Sequence, residues 1–86
     1  MSMSNEYQPI NCDDYDNLEA TCQQNLILTL ELRNGETVIG KASDMISRKH
    51  VEYLVIEEAG ATRELRLDHI VSFSHPGIGK VVVSES

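Results

Sequence analysis

The chain has no apolar run longer than three or four residues, Val81-Val82-Val83 being typical. A helical membrane span needs about 20, so none is expected. Residues Met1–Glu6 hold neither a basic nor an apolar stretch. A secretory signal is therefore not expected, and the cytoplasm is the expected address. Cysteine is scarce: Cys12 and Cys22 are too few for a disulfide framework. They fall on what reads as one helix, where ten residues span ~15 Å, well past the ~4.4–6.8 Å Cα separation of a disulfide. Both are expected as reduced thiols, Cys22 as a small core residue.

Several chemical signatures are missing as well. There is no close Cys or His pair of the kind that begins a zinc site, so no metal site is expected. Of the three histidines, His50, His69 and His75, none sits in a nucleophile elbow. Ser72-Phe-Ser-His75 reads as a strand end, and a small hydrolase using His75 is the weakest reading. Gly77-Ile-Gly79 reads as a turn rather than a phosphate cradle. No cofactor is expected.

Lys and Arg are absent from residues 1–25, which hold Glu6, Asp13, Asp14, Asp16 and Glu19 and so carry −5. The other sixty-one residues hold nine acids and seven bases, giving −2 there and −7 overall. Direct nucleic-acid binding rests on neutralising phosphates with basic side chains, so this balance disfavours it. A basic partner is favoured instead.

What is present is a small globular domain of 86 residues, 41% hydrophobic and 24% charged, whose core must be thin. Residues 1–9 read as a flexible lead-in and 10–86 as a single domain. Aspartates from Asp13 onward precede good helix formers, predicting a helix over about 13–24. Tyr15, Leu18 and Cys22 make its apolar stripe. From about 25 to 83 the pattern is β. Leu26, Leu28, Leu30 and Leu32 alternate with Ile27, Thr29, Glu31 and Arg33. Asn34-Gly35 suggests a type I′ hairpin turn and a return strand over 36–42. Val51–Glu57 is apolar on both faces, and strands over 62–67, 70–73 and 80–83 follow. The expected fold is mainly β: an N-terminal α-helix packed on a small, strongly bent antiparallel barrel of five to six strands, closed to hide its edges. Gly40 is the expected bend or bulge. Leu28, Leu30, Leu32, Val55, Leu65, Leu67 and Ile70 are the expected core.

Two charged features admit two readings each. Asp13 and Asp14 oppose the helix dipole, but Asp16 and Glu19 lie beyond its reach and repel each other at i, i+3. The helix face is either solvated or a partner site, with Tyr15 as core residue or anchor. Ser47-Arg48-Lys49-His50 is either a solvated hairpin tip or a contact loop. Arg63 and Arg66 read as ordinary strand-face charge.

Leu32-Arg-Asn-Gly35-Glu-Thr-Val38-Ile-Gly40-Lys-Ala42 resembles the first signature of Sm-like proteins, Leu-x-x-Gly-x-x-Val-x-Gly-x-Leu, departing from it at Ala42. Tyr7-Gln-Pro-Ile-Asn-Cys-Asp-Asp-Tyr-Asp-Asn-Leu-Glu19 is similar to the N-terminal signature of the Rof family of Rho-binding antiterminators. Lys41–Asp44, Ser47–Lys49, Val51–Val55, Arg63–Asp68, Ser72–Pro76 and Val81–Ser86 extend that likeness over residues 7–86. The resemblance implies an Sm-like fold. It also implies a non-enzymatic inhibitor of the termination factor Rho that binds the N-terminal RNA-binding domain of the hexamer and blocks its primary RNA site. The partner-binding residues it implies are Asp13, Asp14, Tyr15, Asp16 and Glu19 on the helix and Arg48 and Lys49 in the loop. His50 departs from the asparagine that the family pattern implies. The alternative is an Sm-like module that binds RNA directly.

Overall fold

The computed structural model of the chain describes residues 9–84. The expected flexible lead-in lies outside the described residues except for Pro9. Helix α1 runs Cys12–Gln24 and is followed by strands β1 Ile27–Leu32, β2 Thr37–Arg48, β3 Val51–Glu58, β4 Ala61–Arg66, β5 Ile70–His75 and β6 Gly79–Val82. A short 3-10 turn, Leu67–His69, joins β4 to β5.

The helix starts one residue earlier than the aspartates suggest, because Asn11 is the cap. Its Oδ1 accepts the Asp13 N–H at 2.8 Å, filling one of the orphan donors of the first turn. The helix ends at Asn25, whose left-handed φ of 51° lets the Leu26 N–H reach back to the Thr21 carbonyl at 3.0 Å. Asn25 Nδ2 also donates to the Cys22 carbonyl and to the Ala42 carbonyl of β2, both at 3.1 Å. The cap thereby fastens the helix to the sheet. The apolar stripe centres on fully buried Leu18, with Tyr15 and Cys22 half-buried at its margins.

The strands form one antiparallel sheet in the order β4-β3-β2-β1-β5-β6. Strand β1 alternates out and in, burying Leu28, Leu30 and Leu32. Val38 and Ala42 from β2, Leu65, Leu67, Ile70 and Phe73 complete much of the core. Val55 is a correction: the register Met45↔Leu54 and Ala42↔Ile56 turns Leu54 and Ile56 inward, and Val55 stays half-exposed.

The expected closed barrel is not formed. Strand β6 pairs with β5 through Ser72↔Val82 and Phe73↔Val81, and this occupies the edge that β4 would need for closure. Among the described residues β4 remains an edge, and the sheet is bent but open. The bend also differs from expectation. Pairing of β2 with β3 slips between Ala42 and Asp44, so Ser43 is the extra residue of a bulge. This lets β2 continue to Arg48 instead of stopping near 42. Gly40 serves close packing instead: a Cβ there would collide with Ile56 Cγ2 and lie 2.7 Å from the Glu57 carbonyl oxygen.

The turns are redistributed too. Gly35 alone is left-handed in the first hairpin, at φ 89°. Its N–H bonds the Leu32 carbonyl while the Leu32 N–H bonds that of Glu36, both at 2.9 Å. That is a three-residue loop rather than a type I′ turn. Two-residue turns with both central φ values positive occur at Lys49-His50 (53° and 67°) and at Ala59-Gly60 (49° and 87°).

Candidate functional site

Helix α1 lies along β2, and between them runs a groove of about 340 Å³. Tyr15, Glu19, Cys22 and Gln23 line it from the helix; Asp44 and Met45 line it from the strand just past the bulge. The extra residue at Ser43 places Asp44 here by shifting every later side chain of β2 relative to β3. Tyr15 holds its proton more tightly than a free phenol. Burial is the largest cause, followed by the negative fields of Glu52, Glu19 and Asp16. The Cys22 thiol is pushed up to about 11 by burial and by neighbouring Asp44. It is therefore a protonated, unreactive wall of the groove at neutral pH.

Ion pairing explains why this face is negative. Five of the seven bases are engaged on the sheet: Lys41 with Glu57 at 3.4 Å, Arg48 with Glu64 at 2.7 Å, Arg63 with Glu36 at 2.6 Å, Arg66 with Asp68 at 2.8 Å and Lys80 with Glu31 at 3.5 Å. Arg33 Nε donates to the Asp68 carbonyl at 2.6 Å. Asp16, Glu19 and Asp44, all exposed, have no ion pair among the described residues. Three unpaired carboxylates thus lie about one half-buried aromatic ring and its groove.

The candidate residues separate into groups. Tyr15 and Glu19 line the groove, with Asp16 on the same negative face. Asp13 is exposed in the first helical turn beside the cap. Asp14 departs from this set: it is only 9% exposed, and its Oδ2 accepts the Ser84 N–H at 2.8 Å. Arg48 is held in its own sheet, paired to Glu64 with its guanidinium carbon 5.1 Å from the centroid of the Tyr53 ring. Lys49 and His50 form the exposed tip of the β2–β3 hairpin. Their left-handed backbone tolerates asparagine and histidine better than most residues, which gives His50 a conformational role. Glu52, which pairs with Ser47 near the base of this tip, adds to the negative field at the Tyr15 ring.

Sequence reasoning missed Asp44 and Met45, since they lie beyond the expected end of β2 and only the bulge aims them at the helix. The side chains around His75 bond to groups other than one another. The Ser72 hydroxyl donates to Glu31 Oε1 at 2.8 Å, and His75 Nδ1 accepts the Gly77 N–H at 2.8 Å. Among the described residues, no three His, Cys, Asp or Glu side chains gather as a metal site would require, and no helix is long and apolar enough to cross a membrane.

Comparison with known proteins settles the lineage. Residues 9–83 match the family described as modulator of Rho-dependent transcription termination, Rof. The chain belongs to the Rof family. Protein rof of Escherichia coli is 71% identical over 84 residues, covering 98% of this chain and all of that protein. Protein rof of Shigella flexneri matches to the same extent. The solved structure of a YaeO from Vibrio cholerae, described as bound to magnesium, superposes with a TM-score of 0.71 at 23% identity, covering 79% of this chain and 95% of that one. That likeness concerns the fold alone. The Rof family is described as a modulator of Rho-dependent transcription termination.

Proposed function

We propose that this chain inhibits Rho by occupying the primary RNA-binding site in the N-terminal domain of the hexamer. An RNA site must be basic to hold phosphates. The helix answers it with carboxylates that have no internal partner, while the half-buried Tyr15 supplies an aromatic anchor of the kind that dominates interface energies. The observation that carries this reading is the coincidence of uncompensated Glu19 and Asp44 with that single aromatic at one groove, with Asp16 near enough for its field to reach the ring. Asp13 adds charge at the helix start. Arg48 and Lys49, at the end of the adjoining hairpin, contact the rim of the same domain, where a base can meet an acidic side chain.

The test is competition. Labelled single-stranded RNA is bound to purified Rho, the protein is added, and RNA release is followed together with read-through at a Rho-dependent terminator. Release of RNA and increased read-through are expected, with no shift of RNA by the protein alone. An RNA shift without Rho would instead support the direct RNA-binding module, and an unchanged Rho–RNA complex would overturn the proposal.

A further inference from the structure

We propose that Asp14 is a positioning residue: its carboxylate clasps the backbone at Ser84 and so fixes the pose in which the helix presents Tyr15, Asp16 and Glu19. The functional half of this inference rests on the Rho reading above.

The geometry is that of an opened capping box. In the closed motif, an acid at the third helical position reaches back to the N–H of the cap residue. Here the cap is Asn11 and the third position is Asp14, yet neither bonds the other in that way. The Asn11 N–H donates to the Ser84 carbonyl at 2.8 Å, and Asp14 Oδ2 accepts the Ser84 N–H at 2.8 Å. Both backbone groups of Ser84 are thus satisfied by the first turn of the helix. The segment that bears Ser84 is itself anchored, since the Val83 N–H donates to the Val71 carbonyl of β5 at 2.9 Å and Val83 packs against the core.

The helix is consequently fastened at both ends to different parts of the sheet. Asn25 ties its far end to β2 through the Ala42 carbonyl. Asp14 and Asn11 tie its near end to the segment after β6. Burial argues against a direct contact, because Asp14 is 9% exposed while Asp13 and Asp16 on either side of Tyr15 and Asp14 are exposed. Release of the near end would leave Asn25 as a pivot. Tyr15 and Asp16, nearest the freed end, would sweep furthest from their place beside the groove.

Asparagine separates clasp from charge contact, since its Oδ1 can accept the Ser84 N–H without the charge. Asp14→Ala is expected to weaken Rho binding about tenfold, equivalent to ~1.4 kcal/mol, and Asp14→Asn by no more than about threefold. A variant ending at Val83 removes the Ser84 N–H together with the carbonyl that accepts from Asn11, so it should lose at least as much as Asp14→Ala, and adding Asp14→Ala to it should cost little more. Amide exchange of the free protein reads the clasp without Rho. Asp14→Ala should speed exchange at Ser84 and Tyr15 and leave Leu30 unchanged, and Asp14→Asn should protect all three.

Equal loss of binding in the Asn and Ala variants, with exchange unaltered, would mark Asp14 as a charge contact and overturn the clasp. Wild-type binding by Asp14→Ala would overturn it as well. If the wild-type protein fails to bind Rho, the functional reading falls, and the exchange experiment alone then decides the clasp. Unchanged exchange at Ser84 in Asp14→Ala refutes it.

Discussion

Gly40→Ala adds one methyl group and should nevertheless loosen the sheet. The new Cβ would overlap Ile56 Cγ2, sit 2.7 Å from the Glu57 carbonyl oxygen and 3.0 Å from Glu58 Cγ. The Ile56 and Glu58 side chains have some freedom to turn away. The carbonyl does not, because it belongs to β3 at the point where Lys41 pairs with Glu57, so relief requires β2 and β3 to part. Overpacking of this kind costs roughly 1–3 kcal/mol. Alanine returns ~0.5–1 kcal/mol, because glycine loses more backbone freedom on folding. Because the carbonyl cannot yield, the cost lies in the upper part of that range, ~2–3 kcal/mol, and a net loss of about 1–2.5 kcal/mol remains. At ~4–8 °C per kcal/mol for a domain this small, the thermal midpoint should fall by roughly 4–20 °C in a circular-dichroism melt. Gly35→Ala is the control. A Cβ there meets nothing within 4 Å, so its cost comes only from the φ of 89°. Moving β3 would also disturb the bulge at Ser43 that aims Asp44 at the groove, so Rho competition by Gly40→Ala should weaken even well below its melting temperature. A midpoint within ~2 °C of wild type, or above it, would show that the strands do not approach as closely at Gly40 as argued.

Leu30→Ala should cost ~2–5 kcal/mol, since Leu30 is fully buried opposite Val38 and Phe73; a melt lowered by only a degree or two would contradict its place in the core. Asp16→Lys and Glu19→Lys remove the like-charge pair on the exposed face and should fold at least as well as wild type, yet lose Rho inhibition in a termination assay. Retained inhibition by both would move the interface elsewhere. Association with Rho, measured by stopped flow, should slow as salt rises from low to physiological levels, and a rate constant flat across that range would argue against charge-steered docking. Glu36 and Glu64 are held below the usual carboxylate range by hydrogen bonds from Arg63 and Arg48. Their contribution to stability is therefore present above the ordinary carboxylate value and lost as pH falls through the lowered one. The melting difference between wild type and the Glu36→Gln, Glu64→Gln double variant should be largest at neutral pH and shrink as pH falls below the ordinary carboxylate value; a difference that does not shrink on acidification would break the assignment.

The alternation of Leu28, Leu30 and Leu32 determined by itself which face of β1 is buried, because a strand repeats every two residues and one slip would expose all three. The helix, its acidic face and the surplus of negative charge in the first quarter of the chain were equally legible, as were the free thiols. Local pattern was silent wherever a partner strand makes the choice. Leu54 and Ile56 rather than Val55 face inward because β2 sets the register of β3, and a strand apolar on both faces carries no signal of its own. Closure of the barrel failed because β6 takes the edge of β5 that β4 would need, a competition between segments on either side of β5 that the pattern of neither strand decides. Tyr15, Asp16 and Glu19 could be named from spacing and charge. Asp44 could not, since one extra residue at Ser43 decides which way it points. Asp14 and Asp16, two positions apart and chemically alike, meet opposite fates. The helix turns one toward the Ser84 N–H and the other toward water, and only the packed chain brings that N–H within 2.8 Å of the first carboxylate.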